Sequence, residues 1–280
     1  MGAFSNYSSK KLLDHIFANG RAQTWSPPAA LYLGLFTSGA GLANNTPGEQ
    51  TEVSGGAYAR ETLNGTANYF RPADGFEAVL HADVDWAVAT ADWGTITHVA
   101  VLDAASGGNV ILWSPLTTSK LIETNDIMGV LATDLVASLS SVGMSTYSAK
   151  KALDHMLANG REQTWSPSTS LWVALFTGSN GLASNLPGSQ QEVAGGAYSR
   201  LRLDGADNFM TVAANFATTL YADLEWPLAT SYWGNVTHAA IMDSEIGGNV
   251  ISWGALTSPK LIETNDRCVI KSGNITVSLV

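Results

Sequence analysis

Residues 93–103 of the chain read WGTITHVAVLD, and residues 233–243 read WGNVTHAAIMD. In the first of these stretches Thr97–Asp103 alternates in the manner of a β-strand. Gly107, Gly108 and Asn109 then supply turn residues before a second apolar segment, Val110–Trp113. This order predicts a β-hairpin with a long loop. Because the pattern occurs twice, it predicts two similar β-rich units.

The duplication extends over almost the whole chain. Adding 140 to a residue number aligns Tyr7 with Tyr147 and continues without a gap to Leu139 and Leu279, with about half of the positions identical. We therefore predict a first β-rich repeat at residues 1–139, a linker at 140–146 and a second β-rich repeat at 147–280. Since the linker spans about 25 Å at full extension, the two repeats must lie side by side.

Each repeat begins with a helical pattern and continues with short strands. Ser8 or Ser9 can cap the first helix, and Gly20, like Gly160 in the second repeat, can end it. The apolar segment Leu31–Thr37 predicts a strand, and the two glycines within Val53–Arg60 suit a bulge or a close backbone approach. The predicted fold class is mainly β: two tandem homologous β-sandwich (or partly open barrel) domains, each with one short N-terminal α-helix.

The composition excludes several classes of protein. Charged residues make up 14% of the chain and its net charge is −10, with no basic run to neutralise a nucleic-acid backbone. No segment approaches the roughly 18 apolar residues of a membrane span, and the N-terminus lacks the pattern of a signal peptide. Cys268, the one cysteine, aligns with Met128, so it reads as a core residue rather than a disulfide or zinc ligand.

Residues that could carry catalysis are present but do not form a recognisable motif. His15 and Asp14 are adjacent on a helix and cannot face each other as an acid–base pair. Asp83, Asp85, Asp92 and Asp103 crowd the middle of the first repeat, where two of them could form a glycosidase pair, but turn capping explains Asp103. No nucleophile elbow or phosphate-binding glycine loop occurs. The sequence therefore predicts no enzyme, no cofactor and no metal site.

Tryptophans are the remaining candidates for a binding role. Exposed tryptophans can stack on sugars or anchor a partner, whereas buried ones belong to the core or to a domain junction. The candidate contacts with a partner or another subunit are Trp25, Trp86, Trp93, Trp165, Trp226 and Trp233.

The ordered series of motifs resembles a known family. It comprises Leu31–Thr37, Val53–Arg60, Trp93–Asn109 and Trp113–Lys120. Together they are similar to the capsid-fiber (head-decoration) proteins of tailed bacteriophages, which are also labelled tail-fiber-like. The resemblance covers nearly all of each repeat and implies a structural virion protein without catalytic residues, although the chain departs from the family by holding two copies.

These observations lead to one main hypothesis and two alternatives. We expect a non-enzymatic virion protein, assembled in the host cytoplasm, that decorates or cements the capsid or forms a head fiber. Its partners would be the major capsid protein or other virion proteins and further copies of itself, and three chains could present six repeats to a hexameric capsomer. The alternatives are a tail or baseplate adhesin that binds host carbohydrate and an enzyme that degrades a surface polymer.

Overall fold

A computed structural model describes residues 3–17, 25, 30–63, 70–74, 76–139, 143–157, 165, 170–203 and 217–278. The elements of the first repeat are β1 (Ala3–Phe4), α1 (Asn6–Phe17), β2 (Leu31–Phe36), β3 (Glu61–Leu63), β4 (Glu77–Val79), β5 (Val84–Asp85), β6 (Gly94–Leu102), β7 (Val110–Ile122), β8 (Gly129–Val130) and β9 (Val136–Ser138). Those of the second repeat are α2 (Thr146–Leu157), β10 (Leu171–Phe176), β11 (Leu201–Leu203), β12 (Ala217–Thr219), β13 (Leu224–Glu225), β14 (Gly234–Met242), β15 (Val250–Ile262), β16 (Val269–Ile270) and β17 (Thr276–Ser278). Short 3-10 turns lie at Pro47–Glu49 and Pro187–Ser189.

Both repeats contain an antiparallel main sheet with four equivalent strands, to which the first repeat adds β1. In the first repeat its strand order is β1-β7-β6-β2-β3, and in the second it is β11-β10-β14-β15. The predicted hairpin is present as β6 and β7, with Val101 opposite Leu112. Two-stranded ribbons complete each repeat, β4 with β9 and β5 with β8 in the first and their equivalents in the second. The fold is mainly β in two tandem repeats, each with one helix, as predicted, and the sheets are not closed within the described residues, as in a β-sandwich or a partly open barrel.

Each main sheet buries both of its faces. One face of the first sheet, which includes Leu33 and Val99, packs in a core to which both repeats contribute. Phe36 and Leu102 are on the other face and pack against Leu42 of the β2–β3 connection. A sheet buried on both sides explains why its strands are nearly continuous apolar runs.

The first helix begins earlier than the sequence predicts. Helix α1 starts at Asn6, and its capping residue is Ser5, whose Oγ accepts a hydrogen bond from Ser8 N at 3.3 Å. The Ser5 hydroxyl also donates to Val110 O, and the Ser8 hydroxyl donates to Ile111 O at 2.6 Å. These bonds to β7 fix the start of the helix, so the tertiary contact rather than the local sequence selects the cap.

The sequence also predicts where the helices end and how far the linker extends. The predicted C-terminal residues Gly20 and Gly160 lie outside the described residues. Helix α2 begins at Thr146, the last residue of the predicted linker, and Met144 already bridges to Ser252 in the second main sheet.

The segment with two glycines is a turn instead of a strand. Gly55, Gly56 and Ala57 have φ values of 74°, 55° and 62°, which no strand accommodates. The predicted close approach is confirmed at Gly56, whose carbonyl oxygen accepts a hydrogen bond from Trp93 Nε1 at 2.9 Å. The turn thus brings the indole against the backbone, and Gly196 and Trp233 repeat this contact at 2.8 Å.

Immediately after this turn, a buried ion pair holds the loops at one end of the sheet. Arg60 binds Glu52 through two nitrogens, at 2.7 and 2.6 Å, and its Nη1 donates to the carbonyl oxygens of Ala104 and Gly107. The Tyr58 hydroxyl donates to the same Glu52 carboxylate at 2.8 Å. Burial and that carboxylate raise the pKa of Tyr58, which keeps it a donor. One side chain therefore ties the β2–β3 connection to the β6–β7 loop.

The two neighbouring glycines allow a matched test of this turn. A Cβ at Gly56 would lie 2.8 Å from Trp93 Nε1 and 2.9 Å from Ala91 O, whereas a Cβ at Gly55 would meet nothing within 4 Å. Both substitutions strain a positive φ by about 1–2 kcal/mol, and Gly56→Ala adds an overpacking cost of about 1–3 kcal/mol. We expect urea denaturation to show a larger loss of unfolding free energy for Gly56→Ala than for Gly55→Ala. Equal losses would contradict the close approach of the indole.

Candidate functional site at the junction of the repeats

The two repeats meet through their helices. Helix α1 packs against β7 of its own repeat and β12 of the other, while α2 packs against β15 of its own repeat and β4 of the other. Each helix therefore contributes to both halves of the chain. The contacts are reciprocal, which is the property of a twofold-related, self-complementary interface.

Two histidines stack at the centre of this junction. The rings of His15 and His155 lie 4.5 Å apart at an angle of 13°. Nε2 of His15 is 2.8 Å from Trp165 O, and Nε2 of His155 is 2.8 Å from Trp25 O, so each ring donates across the junction. Within its own repeat each Nδ1 accepts a backbone N–H, from Trp25 at 3.1 Å and from Trp165 at 3.2 Å. Both imidazoles are thus neutral, with the proton on Nε2.

A second polar contact crosses the junction beside the histidines. Asp154 Oδ1 accepts a hydrogen bond from Ala73 N at 2.6 Å, and Lys150 Nζ donates to Ala73 O at 2.7 Å. Lys150 also binds Asp154 at 2.9 Å, just as Lys10 binds Asp14 at 2.6 Å in the first helix. Lys150 therefore balances the charge of the buried Asp154 carboxylate and also binds the backbone of the first repeat at Ala73.

Burial controls the protonation of the histidine pair. It lowers the pKa of His15 below its usual value, against the opposing effect of the Trp165 carbonyl. The pKa of His155 is lowered to about 4. Burial is the larger cause and repulsion from a protonated His15 is the smaller one, while the hydrogen bond to the Trp25 carbonyl acts in the opposite direction. A proton on either Nδ1 would also face a backbone N–H donor. The junction is consequently built for neutral rings.

The six predicted tryptophans all lie in the interior of the chain. Trp86 and Trp93 donate from Nε1 to Ala59 O and Gly56 O, each at 2.9 Å, and their equivalents in the second repeat do the same. Trp25 and Trp165 lie at the junction, where they contact the other repeat of the same chain. The exposed fractions of the six residues are between 1% and 8%, so contacts within the chain account for their burial. Their contact with another subunit stays a prediction.

The remaining candidates from the sequence have structural partners. Asp103 accepts hydrogen bonds from the backbone and side chain of Asn109, which confirms turn capping there. Asp83 accepts from Ala132 N at 2.8 Å, so this carboxylate also fixes a loop. Cys268 is buried in the core, as its alignment with a methionine predicts. Among the described residues no group of three or more His, Cys, Asp or Glu side chains could hold a metal ion.

The same two units appear in the comparison with protein families. The family described as podophage GP4 fiber I protein gp80 matches residues 3–138 and, a second time, residues 143–278. The chain belongs to this phage fiber family. It is therefore a structural virion protein of tandem-repeat type, as the resemblance implies. No curated protein matches this fiber protein.

The sequence of this fiber protein predicts its repeats but does not single out the histidine pair. His15 and His155 are equivalent residues on equivalent helices, and a twofold axis is needed to bring such residues together. The duplication is the only signal of that axis, and it does not say which face of the helix lies on it.

None of the helices in the described part of the chain has the length and apolar character needed to span a bilayer.

We expect the histidine pair to make the stability of the fiber protein sensitive to acid. Because the folded-state pKa of each ring lies below its usual value, the unfolded chain binds protons more readily as the pH falls through 6.5. The stabilisation is complete above the usual pKa of about 6.5 and is lost as the pH falls toward the folded value of about 4 at His155. We expect a slope of at most about 1.4 kcal/mol per pH unit for each ring.

Denaturant titrations between pH 4.5 and 7 measure this slope. The double variant His15→Gln, His155→Gln should have a flatter profile, because an amide does not titrate. The exposed His81 provides the control, since His81→Gln leaves the junction intact and should keep the wild-type profile. An unchanged slope in the double variant would show that other groups govern the acid response.

Proposed function

We propose that the chain is a non-enzymatic structural subunit of the virion, placed on the capsid as a decoration, cement or head-fiber protein. It would be assembled in the host cytoplasm and would contact the major capsid protein or other virion proteins. The observation that carries the proposal is the reciprocal junction, where stacked imidazoles join two repeats that contribute to one core. Two linked domains of this kind act as one rigid block.

Rigidity suits a protein whose role is to hold position on a shell. The junction leaves no hydrogen-bonding nitrogen of His15 or His155 unpaired, and the Lys150–Asp154 pair adds a second fixed contact. Within each repeat the buried Arg60 and Arg200 pairs fix the long loops. Bending at the junction would break several of these contacts together, so external load is shared between both repeats.

One of the candidate carboxylates, Asp92, is unsuited to act as a general acid. Asp92 accepts hydrogen bonds from the backbone and hydroxyl of Thr124, at 2.8 and 2.9 Å. Those bonds lower the pKa of Asp92 below its usual value, which is the reverse of what a general acid needs. Its equivalent in the second repeat is Tyr232, so the carboxylate is not common to both copies.

The relationship between the repeats also shapes the proposed oligomer. Three chains around a threefold axis would present six repeats, as proposed for a hexameric capsomer. Because the repeats face each other through reciprocal contacts, neighbouring repeats would alternate in orientation instead of repeating a sixfold rotation. A trimer would then contact a capsomer with three repeats in one orientation and three in the other.

Adhesion to host carbohydrate is a second candidate, favoured by two exposed tyrosines. The nine tryptophans are buried or half-buried, so little of their ring surface is available to stack on sugars. Tyr221 and Tyr232 are 58% and 62% exposed, at positions held by His81 and Asp92 in the first repeat. If the protein binds glycans, Tyr232→Ala should weaken binding of the purified chain to host cells, with Tyr32→Ala as a control in the main sheet. Equal binding by both variants and the wild type would remove this candidate.

Location on the particle tests the main proposal. We expect density for the two-repeat block on the capsid in electron cryomicroscopy of the virion. Quantitative mass spectrometry should give a copy number that scales with the major capsid protein. Density confined to the tail, with a copy number matching tail components, would contradict placement on the capsid.

A further inference from the structure

The outer surfaces of two equivalent ribbons differ between the repeats. The ribbon of β5 and β8 in the first repeat pairs Val84 with Val130, and the ribbon of β13 and β16 in the second pairs Leu224 with Ile270 in the same register. We call the outward side chains of these ribbons the first and second ribbon faces. The first ribbon face is Asp83, Asp85, Ile127 and Leu131, with Gly129 between the last two, and the second is Asp223, Glu225, Arg267, Val269 and Lys271. The backbone is common to both faces, so the differences lie in the side chains.

The second ribbon face balances its own charges. Arg267 forms an ion pair with Glu225, and Lys271 binds Asp223 at 2.7 Å. The two cationic side chains remain 51% and 67% exposed, so their charged ends can reach a further partner. Exposed pairs of this kind contribute little to stability, which leaves them available for intermolecular contacts.

The first ribbon face also has two carboxylates but lacks the cations. Ile127 and Leu131 stand where the second repeat has Arg267 and Lys271, and each is 53% exposed. Asp83 and Asp85 are exposed and form no ion pair within the described part of the chain. The face therefore combines two carboxylates that have no ion-pair partner among the described residues with two exposed aliphatic side chains.

The first repeat as a whole is also more negatively charged than the second. Residues 1–139 contain six Lys and Arg against thirteen Asp and Glu, a net charge of −7. Residues 140–280 contain eight against eleven, a net charge of −3. Two first repeats would thus repel each other more strongly than a first and a second repeat.

We propose that the first ribbon face binds the second ribbon face of another copy of this chain, head to tail. The exposed ends of Arg267 and Lys271 supply the cations that Asp85 and Asp83 lack. Ile127 and Leu131 bury apolar surface against the aliphatic stems of these cations. Contact between two first ribbon faces would instead bring four carboxylates together, so the charges select the unlike pair.

Such a contact leads to growth beyond a pair. It is heterologous, because the two surfaces are different, and each chain has one of each. Successive copies therefore close into a ring or continue as a filament. The inference deepens the proposed homo-oligomer by naming the surfaces that meet, but it concerns association in solution and not the site on the particle.

The equivalent frames of the repeats allow a complementation experiment with the full chain. Variant A, Ile127→Arg with Leu131→Lys, gives the first ribbon face the cations of the second. Variant B, Arg267→Ile with Lys271→Leu, replaces the cations of the second ribbon face with the aliphatic side chains of the first. Each introduced residue already occupies the equivalent position in the other repeat, where the ribbon has the same register. Both variants should therefore keep the wild-type circular dichroism and urea midpoint.

Sedimentation velocity at low salt over a range of concentrations provides the measurement. The wild-type mass should rise above the 29.5 kDa of one chain, and added salt should reduce it. Variants A and B should each associate at least about tenfold more weakly, while an equal mixture of them should associate as well as the wild type, because A then offers cationic faces to the acidic faces of B.

Three results would overturn the proposal. They are a wild-type chain that stays monomeric at all concentrations, single variants that associate like the wild type, and a mixture that associates no better than its components. Capsid density from electron cryomicroscopy is independent of these outcomes, so failure of the head-to-tail contact and failure of the proposed location are distinguishable.

Discussion

His15 and His155 stack 4.5 Å apart at the junction, and each ring uses one nitrogen within its own repeat and the other across the junction. The arrangement works only for neutral imidazoles, because each Nδ1 must accept a backbone N–H. Desolvation, which lowers the pKa of both rings, keeps them in that state near neutral pH. The pair thus adds a directional polar contact to the apolar core that joins the two repeats.

Inside each repeat, too, a single side chain bonds to groups from two different segments. Arg60 joins the carboxylate of Glu52 to two carbonyl oxygens of the β6–β7 loop, while Tyr58 joins Glu52 to the main sheet through Leu35 N. Arg200 does the same in the second repeat. A buried guanidinium of this kind is tolerated because its donors are met by a carboxylate and by carbonyls. Long loops thereby keep one length and one shape in both copies.

Duplication lets the two copies share an interior while their surfaces change separately. At the junction, equivalent residues must satisfy each other, so a change in one repeat affects the contacts of both. Exposed positions have no such coupling, so equivalent residues there can differ. Asp92 is replaced by Tyr232 in the second repeat, and Leu131 is replaced by Lys271. A chain with an approximate twofold interior can in this way present two different surfaces to its surroundings. For a fiber protein this difference gives the block a direction, which a symmetric homodimer of one repeat would lack.

Periodicity and the gap-free repeat determined the helix, the β6–β7 hairpin and the mainly β class, because these depend on local alternation and on turn residues such as Gly107 and Gly108. The same local signals misplaced the helix cap, because Ser5 is selected by carbonyls on β7 that are more than a hundred residues away. They also left the role of the tryptophans open, since burial depends on what packs above a ring. Only the tertiary structure decided that His15 meets His155, because a twofold relationship brings equivalent residues together without leaving any mark on the sequence beside them.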